Sequence, residues 1–277
     1  MLPSFVIGLR EGLEAALIVG IIAAFLITQG RSLRPMWWGV GIAIALCATA
    51  AIGFGVVGST LSFRAREIAE GILALIAVAG VTYMIVWMRR HAPQMRGDLE
   101  ARAAVALAAG SGLALVVMAF LAVLREGVET AVFLLAAFQQ TADPLAAGIG
   151  ALLGVLVAVG LGYGIYRGGV RINYARFFKV TGLILVFVAA GLLAASVHSL
   201  AEARVVTVGQ DAAMNLSWLV EPGTIRASLI TGMFGLQPVP TVAEVTIWFL
   251  YAVPMAVYVL RPSKRREPRT DPVPATS

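Results

Sequence analysis

The chain has 277 residues, of which 60% are hydrophobic and only 13% are charged. Soluble globular domains carry about 25% charged residues, so the composition excludes a soluble enzyme and indicates an integral membrane protein. The net charge of +6 could suggest nucleic acid as a partner, but the bases cluster beside apolar runs, as they do in proteins embedded in a lipid bilayer. We therefore expect no nucleic acid partner.

Apolar runs of about 20 residues predict membrane-spanning helices, and the sequence contains seven. In chain order they lie near residues 4–28, 37–58, 68–88, 112–138, 144–166, 180–202 and 243–260. Residues 93–108 predict an amphipathic lead-in to the fourth helix. We expect an all-α membrane protein with a single transmembrane domain over residues 1–260, and a basic, proline-rich, disordered cytoplasmic tail over 261–277.

The basic residues predict the orientation of the helices. Fifteen of them follow the first, third, fifth and seventh apolar runs, whereas the other connections hold only four: Arg64, Arg66, Arg204 and Arg226. The positive-inside rule then predicts an outer N-terminus and a cytoplasmic C-terminus. The predicted outer face is acidic and would concentrate cations; its acids are Glu67, Glu70, Asp143, Glu202, Asp211, Glu221 and Glu244. The outer loop 203–242 includes an apolar stretch at 223–240 that predicts a short interfacial or re-entrant segment.

Charges interrupt the first and fourth runs in the same pattern. Residues 10–14 are Arg-Glu-Gly-Leu-Glu and residues 125–129 are Arg-Glu-Gly-Val-Glu, an offset of 115 residues. Each copy begins a group of three helices, which defines repeat one (1–90) and repeat two (110–204), with helix seven (243–260) extra. Because three is odd, the groups enter the membrane from opposite sides, which predicts an inverted repeat with a substrate site near the midplane.

The spacing of each pentapeptide places its charges on one helix face. At about 100° per residue, Arg10, Glu11 and Glu14 fall within one arc, and the fourth helix repeats the pattern. A charge deep in a bilayer costs about 2.5–3.5 kcal/mol, so these faces must avoid lipid. We expect Gly12 and Gly127 to let the two helices approach each other closely.

Meeting pentapeptides would form a cation site. Four carboxylates and two arginines sum to −2, and carboxylate oxygens are ligands for hard cations. The arginines would orient the carboxylates through charge-assisted hydrogen bonds. An alternative is that Arg10, near the outer helix end, only extends its head group to water; Arg125, in the middle of its run, is less able to do so.

Further acids and a histidine lie at the predicted outer ends of helices. Glu67 and Glu70 begin the third helix and are either an entrance site for the cation or acids favoured by the helix dipole. His198 and Glu202 form an i, i+4 pair at the end of the sixth helix and are possible site residues. Asp211 in the outer loop is a weaker candidate.

The paired Arg-Glu-Gly-x-Glu motifs, with residues 70–90, 125–140 and 242–254, resemble the oxidase-linked high-affinity iron permease family, specifically its bacterial EfeU type. The resemblance implies a multi-pass permease of the plasma (inner) membrane and no permanently bound cofactor, with iron as substrate. The iron would be ferric, delivered by an extracytoplasmic iron oxidase or iron-binding proteins of the same uptake system. The implied iron ligands are Glu11, Glu14, Glu126 and Glu129, with Arg10 and Arg125 as charge partners. Near Glu202 the family tends to have an adjacent histidine, whereas this chain has its histidine at 198.

Two alternatives remain open at this point. One is a membrane-embedded oxidase with a carboxylate-bound metal, although neither histidine follows a glutamate at the Glu-x-x-His spacing of ferritin-like di-iron sites. The other is a proton-coupled transporter of another divalent cation, because intramembrane glutamates also relay protons.

Overall fold

The computed structural model describes residues 1–58, 61–91, 112–139, 143–166, 174–220, 224, 230–231, 234–235 and 237–261. Over these ranges the chain forms seven helices: α1 (Leu2–Thr28), α2 (Arg34–Gly58), α3 (Phe63–His91), α4 (Gly112–Gln139), α5 (Pro144–Tyr166), α6 (Tyr174–Glu202) and α7 (Val242–Leu260). Each of the seven predicted runs lies inside one helix. The predicted lead-in at 93–108 and the tail at 262–277 lie outside the described residues.

Six of these helices are long and apolar enough to cross a membrane, which confirms an all-helical, multi-pass architecture. The exception is α4, because every stretch of 18 residues within it includes Arg125, Glu126 and Glu129. In α1 the charges lie near the start, and residues 15–28 carry none. A crossing by α4 therefore requires other helices to cover its charges.

Short-range hydrogen bonds define several helix ends. The Asp143 carboxylate accepts from the Ala146 backbone N–H at 2.9 Å and caps α5. At α7, Thr241 and Glu244 form a capping box, in which each side chain accepts from the other's backbone N–H at 3.3 Å. Gly30, with φ 64°, ends α1 in the left-handed conformation that glycine adopts without strain. These caps place the helix ends without help from distant residues.

The two groups of three helices exchange partners. The closest packing joins α1 to α5 and α4 to α2, while α3 packs on α6 and α7 packs on α6. Gly39 of α2 lies against the backbone of α4 at Phe120, and Gly154 of α5 lies against the backbone of α1 at Phe5. Gly39 and Gly154 are 115 positions apart in the sequence, and so are Phe5 and Phe120. The two pentapeptides have the same offset. The first helix of each group is thus held by the second helix of the other group.

Two apolar clusters flank the pentapeptides of α1 and α4. The first apolar cluster includes, from these two helices, Val6, Ile7, Phe133 and Ala136. The second apolar cluster includes Ile18, Ile22, Ala119 and Val123. The start of α1 therefore shares a cluster with the end of α4, and the end of α1 with the start of α4. The two helices run in opposite directions, with the charges between the clusters.

One end of the bundle, which we call the basic end, is where α3 ends, α6 begins and α7 ends. Arg89 donates to the Arg261 carbonyl at 2.6 Å and lies 4.4 Å from the Tyr258 ring centroid. Lys179 donates to the Leu260 carbonyl at 3.4 Å. The predicted topology assigns the basic end to the cytoplasm.

Part of the stretch 223–240 packs deep against α6, and Ile230, Thr231 and Phe234 within it are helical. Gly191 contacts the backbone of Phe234 and Gly235, so closely that a methyl group at Gly191 would clash. Trp248 of α7 donates its indole N–H to the Phe234 carbonyl at 2.7 Å. Gly191 lies 11 residues before the end of α6, about 16 Å along the helix axis. Phe234 and Gly235 therefore lie well inside the bundle and not at the end of α6, while the interfacial or re-entrant segment stays a prediction.

Candidate metal centre

Three carboxylates from the two pentapeptides meet between α1 and α4. Glu11, Glu126 and Glu129 each offer an oxygen, and these oxygens lie within 4.8 Å of one another. We call these three residues the carboxylate cluster. Because α1 and α4 run antiparallel, residues 115 positions apart in sequence are brought face to face. The convergence expected from the repeated motif is therefore present for three of the four predicted ligands.

Two members of the carboxylate cluster are withdrawn from solvent with oxygens that lack partners. Glu11 is 1% exposed, and neither of its oxygens accepts a hydrogen bond from any described residue. Within the same ranges, Oε2 of Glu126 is also buried without a partner. A buried polar group without a hydrogen bond costs about 1–3 kcal/mol, and more if it is charged. A cation bound between these oxygens would remove that penalty.

The fourth predicted ligand, Glu14, lies beside the carboxylate cluster and is not part of it. Its Oε1 is 3.4 Å from Nε of Arg10, and both side chains are buried. Among the described residues, Nε and Nη1 of Arg10 make no hydrogen bond of good geometry. The Arg10 side chain is 1% exposed, so the alternative in which Arg10 reaches water is wrong.

The second arginine of the motif has a different environment. Arg125 donates from Nε to Oε1 of Glu129 at 3.1 Å, and the same nitrogen is 3.6 Å from Glu126. Its guanidinium carbon lies 5.4 Å from the centroid of the Trp87 ring on α3. The Arg125 side chain is 51% exposed, whereas Arg10 is enclosed. A helical side chain points back toward the helix start, here in the direction of Trp87 and the basic end.

The two glycines of the motifs do not bring α1 and α4 together, so this prediction was wrong. Gly12 faces Val155 and Ala158 of α5, whereas Gly127 faces Cys47 of α2. Gly12 thus lets α1 pack closely on α5, and Gly127 lets α4 pack closely on α2. The faces that carry the glutamates remain free to meet each other.

The predicted entrance residues lie at the start of α3. Glu70 accepts from Nε of Arg66 at 2.7 Å, and its side chain is 19% exposed. Glu67 is partly exposed on the preceding turn. Neither belongs to the carboxylate cluster, so the structure separates the entrance candidates from the central ones.

His198 lies at the end of α6 and is paired with an acid on α7. Its Nδ1 is 2.9 Å from Oε1 of Glu244, and Glu244 is buried. Glu202 is exposed and lines an open cavity of about 640 Å³ with Phe63, Arg64 and Ala201. Asp211 is exposed on the loop, where its carbonyl accepts from the first residue of α7. These residues are therefore spread over the end of the bundle opposite the basic end.

Two residues that contact the predicted site residues, Glu244 beside His198 and Trp87 beside Arg125, were not predicted from the sequence. Glu244 was counted only as an outer acid, although the pattern Thr-x-x-Glu before an apolar run is a capping signal that marks a buried helix start. Trp87 had no sequence signal, because its contact with Arg125 depends on how α3 packs beside α4. The donor set as a whole consists of oxygens, which suits hard or borderline divalent cations better than soft ones.

Comparisons with known proteins find a matching family and similar chains in several bacteria. The profile of the iron permease FTR1 family matches residues 1–262. The Ferrous iron permease EfeU of Escherichia coli O6:K15:H31 is 42% identical over 267 residues, which cover 95% of this chain and 96% of that protein. The protein of the same name from Yersinia pestis is 42% identical over 270 residues, covering 95% of each chain. That of Shigella sonnei is 41% identical over 268 residues, covering 95% and 97%. No solved structure has significant similarity to the chain.

Proposed function

This chain belongs to the iron permease FTR1 family, and we propose that it carries iron across the plasma (inner) membrane through the carboxylate cluster. The observation that carries the proposal is the meeting of Glu11, Glu126 and Glu129 within 4.8 Å between two antiparallel helices. Ionisable side chains within membrane-spanning helices are rare, and they often mark an ion pathway. The chain is thus a multi-pass transporter, and iron is its cargo.

The net charge of the two pentapeptides favours ferrous iron as the ion that binds. Four carboxylates and two arginines sum to −2, so a divalent ion brings the region to neutrality and a trivalent ion leaves an uncompensated charge in a low-dielectric setting. The relatives are also named ferrous iron permeases. Ferric iron from an extracytoplasmic oxidase, implied by the sequence resemblance, is the second candidate for the delivered form.

We also propose that the two groups of three helices are inverted repeats, with the N-terminus outside. The exchanged packing of α1 with α5 and of α4 with α2 supports this, as does the equivalence of Gly39 and Gly154. An inverted repeat would place Arg10 and Arg125 on opposite sides of one central site. The outer acids Glu67 and Glu70 would then capture iron before it reaches the carboxylate cluster.

Radioactive iron uptake into sealed proteoliposomes tests the proposed function. We expect uptake of ferrous iron kept reduced with ascorbate, and its loss in Glu11→Gln and Glu126→Gln. Asp211→Asn, on the exposed loop, is the matched control and should retain uptake. A parallel arm supplies ferric citrate, and each arm is run with and without a pH gradient to detect proton coupling.

The same preparation separates a permease from an oxidase. A permease accumulates iron inside sealed vesicles and gains nothing from detergent solubilisation. An oxidase would convert ferrous iron to ferric iron equally well in detergent and accumulate none. Oxidation without accumulation would contradict the proposal.

A further inference from the structure

The two arginines of the repeated motif differ in their relation to the carboxylate cluster. Arg125 contacts two of its three members, Glu129 at 3.1 Å and Glu126 at 3.6 Å. Arg10 pairs with Glu14, which lies outside the carboxylate cluster, at 3.4 Å. The repeat alone would predict equal roles for the two arginines. Their contacts assign them different ones.

Arg125 faces the same oxygens that a bound cation would need. Its Nε is directed at Oε1 of both Glu126 and Glu129, and these two residues supply two of the three converging ligands. Two positive charges on the same carboxylates repel each other strongly at low dielectric. The cation and the guanidinium therefore compete for Glu126 and Glu129.

Arg125 also has a place to go when it leaves the carboxylates. Its guanidinium carbon is already 5.4 Å from the Trp87 ring centroid, within the range of about 6 Å for a cation–π contact. Trp87 lies two residues before Arg89, at the basic end. The Arg125 side chain is 51% exposed, so it can move without disrupting packed neighbours, whereas Arg10 is 1% exposed and enclosed.

We propose that Arg125 is a tethered counter-cation that yields to iron and then displaces it. Without iron, it neutralises Glu126 and Glu129; with iron bound, it moves onto the Trp87 ring; on its return it releases iron toward the basic end. Glu11, whose oxygens have no partner among the described residues, is the ligand that meets the ion first. This inference rests on the proposed function and adds a release step to it.

The test is the separation of affinity from rate in Arg125→Gln. Removal of the competing charge should lower the half-saturating ferrous iron concentration at least fivefold, and slower release should lower the maximal uptake rate at least fivefold. Arg125→Lys keeps the charge and should hold the half-saturating concentration within twofold of the wild type. Arg10→Gln should not lower it. Arg34→Gln, at an exposed arginine that begins α2, controls for the general loss of one positive charge.

A binding measurement makes the test independent of transport. Equilibrium binding of radioactive ferrous iron to the purified protein in detergent should be at least fivefold tighter in Arg125→Gln than in the wild type. Weaker binding would overturn the inference, because it would mean that Arg125 supports the iron-bound ligands. If wild-type vesicles take up no iron, the proposed function fails, yet the binding comparison still decides the role of Arg125.

Trp87 offers a second variant set if Arg125→Gln does not insert. Trp87→Leu removes the aromatic face that receives Arg125 when iron is bound, so it should raise the half-saturating ferrous iron concentration at least threefold. Trp87→Phe keeps an aromatic ring and should hold that concentration within twofold of the wild type. Equal half-saturating concentrations in Trp87→Leu and the wild type would overturn the proposed movement of Arg125.

Discussion

Replacing Glu11 by glutamine should stabilise the iron-free protein while it weakens iron binding. Glu11 is buried, its oxygens lack hydrogen-bond partners among the described residues, and it lies near two other carboxylates. Two like charges 4.8 Å apart repel by ~3.5 kcal/mol at an effective dielectric constant of 20. Arg10 and Arg125 offset much of this repulsion, so we expect a net gain on the order of 1–3 kcal/mol, the usual penalty of an unsatisfied buried group.

Thermal unfolding in detergent, followed by tryptophan fluorescence, measures this gain. At about 2–4 °C per kcal/mol, Glu11→Gln should raise the melting temperature in the absence of iron. Glu14→Gln is the matched control on the same helix. It breaks the buried pair with Arg10, which costs about 3–5 kcal/mol, so its melting temperature should fall.

Iron reverses the ranking of the wild type and Glu11→Gln. At a concentration 1,000 times its dissociation constant, a ligand stabilises the folded state by about 4.1 kcal/mol, which exceeds the gain of about 1–3 kcal/mol expected for Glu11→Gln. The wild type should show this increase, and Glu11→Gln should show little of it. If Glu11→Gln destabilises the iron-free protein as Glu14→Gln does, the argument from unpaired charge is refuted.

Three further predictions concern the entrance, the packing and the topology. Glu70→Gln should raise the half-saturating iron concentration more than it lowers the maximal rate, because Glu70 lies outside the carboxylate cluster; uptake abolished at saturating iron would assign it to the central site. Gly154→Ala should lower the yield of folded protein, because a methyl group there meets the α1 backbone. Gly148 faces open space, so Gly148→Ala should leave the yield unchanged. Equal yields of the two variants on size-exclusion chromatography would contradict the close packing. In a variant without the native cysteine, Val208→Cys should react with an impermeant thiol reagent in intact cells, and Arg31→Cys only after permeabilisation; the reverse pattern would overturn the orientation.

The helices and the meeting of the motifs could be predicted because strong physical terms act locally. Apolar run length alone located all seven helices of the described ranges, but α3 and α6 begin markedly earlier than predicted, at Phe63 instead of 68 and at Tyr174 instead of 180. Their first turns carry charged residues such as Arg64 and Arg176, which lower the hydropathy without ending the helix. The high cost of a charge in lipid predicted that Glu11 and Glu126 would turn toward each other.

The partners of individual faces could not be predicted, because spacing along one helix does not identify its neighbour. Gly12 and Gly127 mark faces of small residues, but only the assembled bundle determines that these faces meet α5 and α2. The contact between Arg125 and Trp87 depends likewise on how α3 packs beside α4. The repeated motif gives both arginines the same neighbours in sequence, and packing gives them different contacts.

The apolar turns of α4 before and after its charged residues have an electrical consequence. Apolar surroundings that exclude water sustain most of the membrane voltage, so an ion that reaches a site midway along such a helix has crossed about half of it. For a divalent ion and 100 mV, negative inside, this amounts to about 2.3 kcal/mol, or an enrichment of roughly 50-fold. The voltage of an energised cell would thus load this site from dilute external iron, and uptake would slow when the membrane is depolarised.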